Sequence, residues 1–463
     1  MNLNHNDENN LSLTRFESML KTNAVLFFDS EEFEDIIGYY LDNGKIALAK
    51  KATKLGLEQH PTSINLKLFQ VEMYIFEDKL DIADELLNEL ERIESSNEEI
   101  YIQKANIFSR RDNHKKAIEL LEKALEITED EIDVLNLIGM EYLFMDDYEN
   151  SKYYFMKCLE EDNEDYPSLY NAIYCFESLG QHREAIDYLN VFLNINPYSE
   201  VAWHQVGKQY YELKEYERAI AAFEFAIISD DTFVGAYFEK AKVLERLKRY
   251  NEAIENYAIT LELDEPTSFA YLRIGKCHEK LGNTDLALQF YLKCVEEDAL
   301  LDKAWIAITD FYIKRNDHQK ALYYIDKAIN IDNENLFYWK RYGKINQTLG
   351  FYEEAEVGYR KAIELGSFDL QSWISRADVL TQLGEYTAAI NNLKQAMEYH
   401  PENSEIEYRL AGLYYCDLEV IKAEYHLQNA LKMDFENSVI LEVIFPAVYE
   451  QTSVQKIIRK VKK

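Results

Sequence analysis

Residues 200–233 read EVAWHQVGKQYYELKEYERAIAAFEFAIISDDTF. Two apolar stripes run through this stretch at helical spacing. Trp203, Val206, Gly207 and Tyr210 fall at i, i+3, i+4 and i+7, and Ala219, Phe223 and Ala226 repeat that spacing after a short polar break. The pattern predicts two amphipathic helices, each with one face to bury. Gly207, Ala219 and Ala226 are small enough to let the helices approach closely, while the aromatic rings fill the space beside them. One such pair cannot bury both faces alone, so neighbours of the same kind are expected.

They are present along nearly the whole chain. Stepping from Ala219 by 34 residues in both directions lands on Ala49, Ala83, Ala117, Ser151, Ala185, Ala253, Ala287, Ala321, Ala355, Ala389 and Ala423. With that residue as position 20, twelve units run without insertion from 30–63 to 404–437. All four tryptophans (Trp203, Trp305, Trp339, Trp373) then occupy position 4, and Gly139, Gly207, Gly275 and Gly343 occupy position 8. Pro61, Pro197 and Pro401 stand at position 32, where they cannot continue a helix.

This arrangement resembles the tetratricopeptide repeat (TPR) family, whose consensus W-x2-L-G-x2-Y…A-x3-F…P spans 34 residues. Repeat 200–233 carries it nearly whole. The resemblance implies an all-α fold, a TPR α-solenoid in which helix-turn-helix repeats wind into a right-handed superhelix. The expected organisation is a 1–29 N-terminal segment, the twelve repeats of 30–437, and a 438–463 cap and basic tail. Residues 1–11 are expected to be unstructured, followed by a capping helix from Ser12, with Asp29 and Glu32 forming a capping box. At the other end Val439, Leu441, Val443 and Ile444 are expected to close the last repeat, with Pro446 ending that helix. Lys456, Arg459, Lys460, Lys462 and Lys463 follow. The outer units depart from the pattern at Thr53, Gly56, Lys67, Val71 and Glu407, as terminal caps do.

Composition narrows the function. The chain has 463 residues, of which only 15 are Gly and 6 Pro, too few for glycine-rich phosphate loops or for flexible linkers between several domains. A formal charge of −34 repels phosphate backbones, so nucleic-acid and anionic-membrane binding are disfavoured. Cys158, Cys175, Cys277, Cys294 and Cys416 are odd in number and lack CxxC spacing. The N-terminus is polar, and its longest apolar stretch, Ala24 to Phe28, is too short for a signal or a membrane span. These features point to the cytoplasm.

Chemistry finds no foothold. GxxxxGK, HExxH, GxSxG and GxGxxG are absent, and the Gly-Lys pairs at 207–208, 275–276 and 343–344 are repeat positions 8 and 9. His114, His182 and His318 share position 17 with tyrosines of other units; only His204, at position 5, is placed to face a ligand. We therefore expect no catalytic residues, no cofactor and no metal.

In the TPR family, positions 2, 5, 6, 9, 12 and 13 of each first helix line a concave groove. Carried onto this chain, the first four repeats place Glu31, Glu34, Asp35, Asp42, Glu72, Glu99 and Asp133 there against one base, Arg110, with Phe69 and Phe76 among the apolar residues. That apolar part is expected to receive the chain's own N-terminal helix. The repeats of 200–369 invert the charge. Lys208, Lys242, Lys276 and Lys344 recur at position 9, joined by Arg246, Arg273, Lys280, Lys303, Lys314, Lys340 and Arg341, against Glu212, Glu239, Glu245, Glu279 and Asp310. Tyr170, Tyr174, Tyr211, Phe238, Phe269 and Phe337 lie beside them.

Two readings of these bases stand. They bind an extended acidic peptide, or pairs such as Lys242–Glu245 and Lys276–Glu279 neutralise each other at i, i+3. The lysine and asparagine set with which some TPR proteins clamp chaperone C-termini has no matching register here. The expected function is a non-enzymatic protein–protein interaction scaffold, with a regulatory subunit or a self-assembling structural protein as the alternatives. Oligomeric state and partner identity are not set by the sequence.

Overall fold

The structure is a computed structural model describing residues 5–22, 26–263 and 267–461. Residues 1–4, Ala24, Lys462 and Lys463, to which expectations above refer, lie outside them. Among the described residues there is no strand. From Ser30 to Met433 the helices alternate in twelve pairs, each first helix starting at or next to position 1 and each second helix at position 17. In the quoted repeat these are Glu200–Glu212 and Tyr216–Ser229. The chain divides into two units, residues 1–231 and 232–463.

Local chemistry sets the ends of these helices. Ser63, Asp165, Ser199, Asp317 and Asn403 each accept a backbone N–H of the first turn, satisfying a donor that the helix itself leaves orphaned. The turn between the two helices of every pair passes through a left-handed residue at position 15. Gly44, Gly180, Gly282, Gly350 and Gly384 supply it freely, and Asp78, Asp112, Asp146 and Asn316 at modest cost. Lys214, Lys248 and Leu418 adopt the same φ, near 61°, against their preference. The pairing of the flanking helices overrides local conformation there.

Within each pair the small residues mark where backbones cross. A Cβ on Gly207 would stand 2.5 Å from the Phe223 ring, and one on Gly275 2.5 Å from the Tyr291 ring. Position 8 is therefore empty because the position-24 ring fills it. Phe155, Phe223, Tyr257 and Tyr291 are fully or almost fully buried, each worth about 1.5–3 kcal/mol of burial.

In the first unit the N-terminal helix runs His5–Thr22, beginning before the expected Ser12. Phe16 and Met19 bury against Phe28, Phe33 and Tyr40, closing the core of the first repeat. Ser12 Oγ donates to Glu32 at 2.7 Å and Arg15 pairs with Glu32 at 2.8 Å, while the Asp29/Glu32 capping box forms. The helix thus stacks on the end of the first repeat rather than filling the groove beside Phe76, which stays exposed.

At the far end of the second unit, Val439 and Val443 are exposed, contrary to expectation. Leu441 and Ile444 do pack into the last repeat, and Phe445, Val448, Val454 and Ile458 complete its closure. Phe445 is the key residue: a Cβ on Gly412 would meet its ring at 2.2 Å. Pro446 starts a new short helix, Pro446–Tyr449, where its missing N–H costs nothing. The basic segment then forms the amphipathic helix Thr452–Val461, with Lys456, Arg459 and Lys460 on its exposed side.

Candidate binding groove

In the first unit, Tyr170 and Tyr174 stand exposed on the helix Tyr166–Ser178. The Tyr174 ring packs edge-on against Tyr148 at 6.3 Å, and Tyr211 tilts over Tyr216 at 5.8 Å. Lys208 lies in this unit and approaches Glu177 at 3.6 Å. The acidic face of the early repeats forms a cleft of about 340 Å³ lined by Glu34, Leu68, Phe69, Glu72, Glu98 and Glu99, among others. Asn65 donates to Glu34 at 3.0 Å and Gln103 to Glu99 at 2.7 Å. Burial pushes the Glu99 and Glu72 carboxyls above the usual carboxylate range, and Glu99 adds to the rise at Glu72.

The other ten bases lie in the second unit. Lys242, Glu245, Arg246, Tyr250, Arg273, Lys276, Glu279 and Lys280 enclose a cleft of about 430 Å³ between two successive repeats. Its acids are tied from behind by the core. Tyr257 and Tyr291 occupy position 24, and their hydroxyls donate to Glu245 at 2.7 Å and to Glu279 at 2.8 Å. Glu245 also meets Arg273 at 3.0 Å, and Glu279 pairs with Lys314 of the following repeat. Burial works against ionisation of Glu279, but Lys314 and Tyr291 outweigh it and leave its carboxyl below the usual range.

Of the expected i, i+3 pairs, Lys276–Glu279 does not form. Lys242 bonds Glu239 at 2.7 Å. Lys276 has no bond to Glu279, which is held by Tyr291 and Lys314. Elsewhere Arg341 makes a two-pronged bond to Asp310 at 2.9 and 2.8 Å, and Lys340 reaches Asp369 at 2.8 Å. Among the described residues, the ammonium groups of Lys276, Lys280, Lys303 and Lys344 make no hydrogen bond or salt bridge. Lys280, Lys303 and Lys344 are exposed, whereas Lys276 is half-buried. Burial, and after it the Arg273 guanidinium, draw the Lys276 ammonium below the usual lysine range. Phe238 packs edge-on to Tyr257 at 5.3 Å, while Phe269 and Phe337 project into solvent.

The tyrosine–glutamate ties escape a reading of the sequence by helix. Their signal is a Tyr where the repeat prefers Phe, twelve residues after a Glu. The same tie recurs as Tyr359 to Gln347 at 2.8 Å. Histidines serve structure: His114 bonds Glu141 at 2.8 Å, His182 bonds Gln209 at 2.8 Å, and His204 leans on Phe223 at 5.6 Å. No group of three or more His, Cys, Asp or Glu among the described residues is placed to hold a metal. No helix among them is long and apolar enough to cross a membrane.

Paired helices of fixed 34-residue period, with small residues at their crossings and a polar inner face, define a helical-repeat protein of the interaction class. Tetratricopeptide repeat profiles match residues 98–131, 132–165, 168–197, 207–266, 270–299 and 380–415. The chain is a tetratricopeptide repeat protein. It is 36% identical over 99 residues to the TPR repeat-containing protein MJ1428 of Methanocaldococcus jannaschii, an overlap of 21% of this chain and 17% of that protein. Among solved structures it is similar to the C-terminal part of a TPR repeat-containing protein from Cytophaga hutchinsonii, with 18% identity and a TM-score of 0.45 over 52% of this chain and 98% of that one. It is also similar to YrrB, described as a TPR protein with an unusual peptide-binding site. There the identity is 18% and the TM-score 0.34, over 40% of this chain and 94% of that one.

Proposed function

We propose that the protein is a non-catalytic scaffold of the cytoplasm that holds partner proteins by their acidic, extended segments, and that the second unit's basic cleft is where it does so. The observation that carries this reading is the commitment of the cleft's acids. Glu245 and Glu279 are bonded to core tyrosines and to bases, while Lys276 and Lys280 keep their charge unpaired. A surface that merely balanced itself would pair Lys276 with Glu279 at i, i+3. In a chain of net charge −34, a local positive cleft steers acidic segments to one place and repels them elsewhere. The free state of all five cysteines supports a reducing compartment.

The test is fluorescence anisotropy with a labelled peptide of alternating Glu and Gly, and with its Lys/Gly counterpart. The acidic peptide should bind the full chain, weaken as salt rises, and be lost from the Lys208→Glu/Lys242→Glu/Lys276→Glu/Lys344→Glu variant. Equal binding of both peptides, or undiminished binding to the variant, would overturn the proposal.

A further inference from the structure

The charge left over in the cleft is concentrated on one helix. Arg273, Lys276 and Lys280 stand on Ser268–Lys280 at i, i+3 and i+7, and so share one stripe. Arg273 uses only its Nε, which donates to the Tyr257 hydroxyl at 3.2 Å and faces Glu245 at 3.0 Å. Both of its Nη nitrogens are without a hydrogen bond among the described residues, as are the ammonium groups of Lys276 and Lys280. The stripe covers about 10 Å of helix axis at ~1.5 Å per residue.

That compactness discriminates between anions. An extended acidic segment presents same-side carboxylates about 7 Å apart, so one or two reach the stripe, each with a single charge. A phosphorylated side chain brings about −1.5 to −2 charges and three acceptor oxygens to one point. A guanidinium edge matches two such oxygens in a fork, and ammonium groups serve as point charges for the third. The half-buried position of Lys276 adds to the argument, because an ammonium withdrawn from water and in direct contact with no carboxylate among the described residues gains most from a concentrated negative charge. Glu245 and Glu279 would oppose any anion. Their oxygens, however, are turned to Tyr257 and Tyr291 and screened by Arg273 and Lys314.

Resting on the reading of the cleft as a site for acidic segments, we infer that it recognises a phosphorylated serine or threonine within an extended segment of a partner protein. The Nη pair of Arg273 and the ammonium groups of Lys276 and Lys280 take the phosphate oxygens. Glu279, tied to Tyr291 and Lys314, keeps Lys280 free for that task by withholding the nearest internal partner.

The experiment compares one peptide sequence carrying Ser, phosphoserine or Glu at its centre, together with the alternating Glu/Gly peptide, by anisotropy. The full chain is used as wild type, Lys276→Gln/Lys280→Gln and the outward-facing Lys327→Gln, with circular dichroism confirming that each variant is folded. The phosphopeptide should bind at least about tenfold tighter than the Ser and Glu forms. It should lose that advantage in Lys276→Gln/Lys280→Gln and keep it in Lys327→Gln. If the phosphopeptide gains nothing over its Glu form while the Glu/Gly peptide binds, this inference fails and the acidic-segment reading stands. If no peptide binds, both fail. A single-stranded RNA of matched charge that binds as tightly, with the same loss in the variant, would overturn the inference in favour of phosphodiesters.

Discussion

Replacing Tyr257 and, separately, Tyr40 by Phe makes the same chemical change at two fully buried rings, with opposite expected signs. The Tyr257 hydroxyl donates to Glu245 at 2.7 Å and accepts from Arg273 at 3.2 Å. Bonds to charged groups contribute about 1.5–3 kcal/mol each. Glu245 keeps Arg273 at 3.0 Å after the substitution, so the lower end applies, about 1.5–2 kcal/mol lost. Among the described residues the Tyr40 hydroxyl is buried without a hydrogen-bond partner. Removing it relieves a desolvated group at a gain of about 1 kcal/mol. Repeat proteins open locally, so a single unfolding midpoint would blur the contrast. Hydrogen exchange read peptide by peptide resolves it. Peptides from Val234–Arg246 and Ser268–Lys280 should exchange up to about 30-fold faster in Tyr257→Phe, while Ser30–Asp42 should be unchanged or slower in Tyr40→Phe. Wild-type exchange in Tyr257→Phe would refute the claim that the core tyrosine holds the groove acid. Faster exchange in Tyr40→Phe would show that its hydroxyl is satisfied after all.

Two further outcomes follow from the packing and from the acidic cleft. Gly358→Ala would place a Cβ 2.6 Å from the Gly343 backbone nitrogen and 2.8 Å from its Cα, where no side chain can yield. The overpacking cost should exceed the helix-propensity gain, leaving a net loss of about 2 kcal/mol, seen as faster exchange in Leu336–Leu349 and Tyr352–Glu364; wild-type stability would contradict the close approach. For Glu99, burial raises the folded carboxyl above its unfolded value, so the folded state binds more protons and local stability rises as pH falls from neutral through the folded value. Protection of Glu98–Arg110 should therefore increase as pH falls from neutral toward the ordinary carboxylate range and level off below it, and Glu99→Gln should reduce the increase. A response of the same size in Glu99→Gln would exclude Glu99 as its source. The neighbouring Glu91, held below the usual value chiefly by Lys104, acts in the opposite sense and only at lower pH.

The sequence states the fold plainly because the fold is periodic and its closest contacts require particular residue sizes. Glycine at position 8 recurs because a Cβ at Gly207 or Gly275 would enter a ring. The left-handed turn at position 15 is visible only where Gly or Asn supplies it. Lys214, Lys248 and Leu418 give no sign, since a cost of about 1–2 kcal/mol in the turn is offset by the helices it joins. The C-terminal closure is legible only in part, at Leu441 and Ile444, for a related reason. Alternation within 439–444 says which residues are apolar, but Phe445 is the one that meets the vacancy at Gly412, and that vacancy belongs to a helix some thirty residues earlier.

The groove shows the same division between what a helix says of itself and what its neighbours impose. Spacing along one helix suggests Lys242–Glu245 and Lys276–Glu279. Packing ties both glutamates to partners outside their own helix, through tyrosines on the second helix of the same repeat and bases on the first helix of the next. Counting charges therefore overstates the available charge at Lys314, Lys340 and Arg341, which are paired. It understates that charge at Lys276 and Lys280, whose supposed partners are withdrawn. The quantity that matters for recognition is the residue of charge after the core has claimed its share. A Tyr in place of Phe at position 24 is what makes that claim, so the binding character of a repeat is decided partly by a buried residue that never touches the partner.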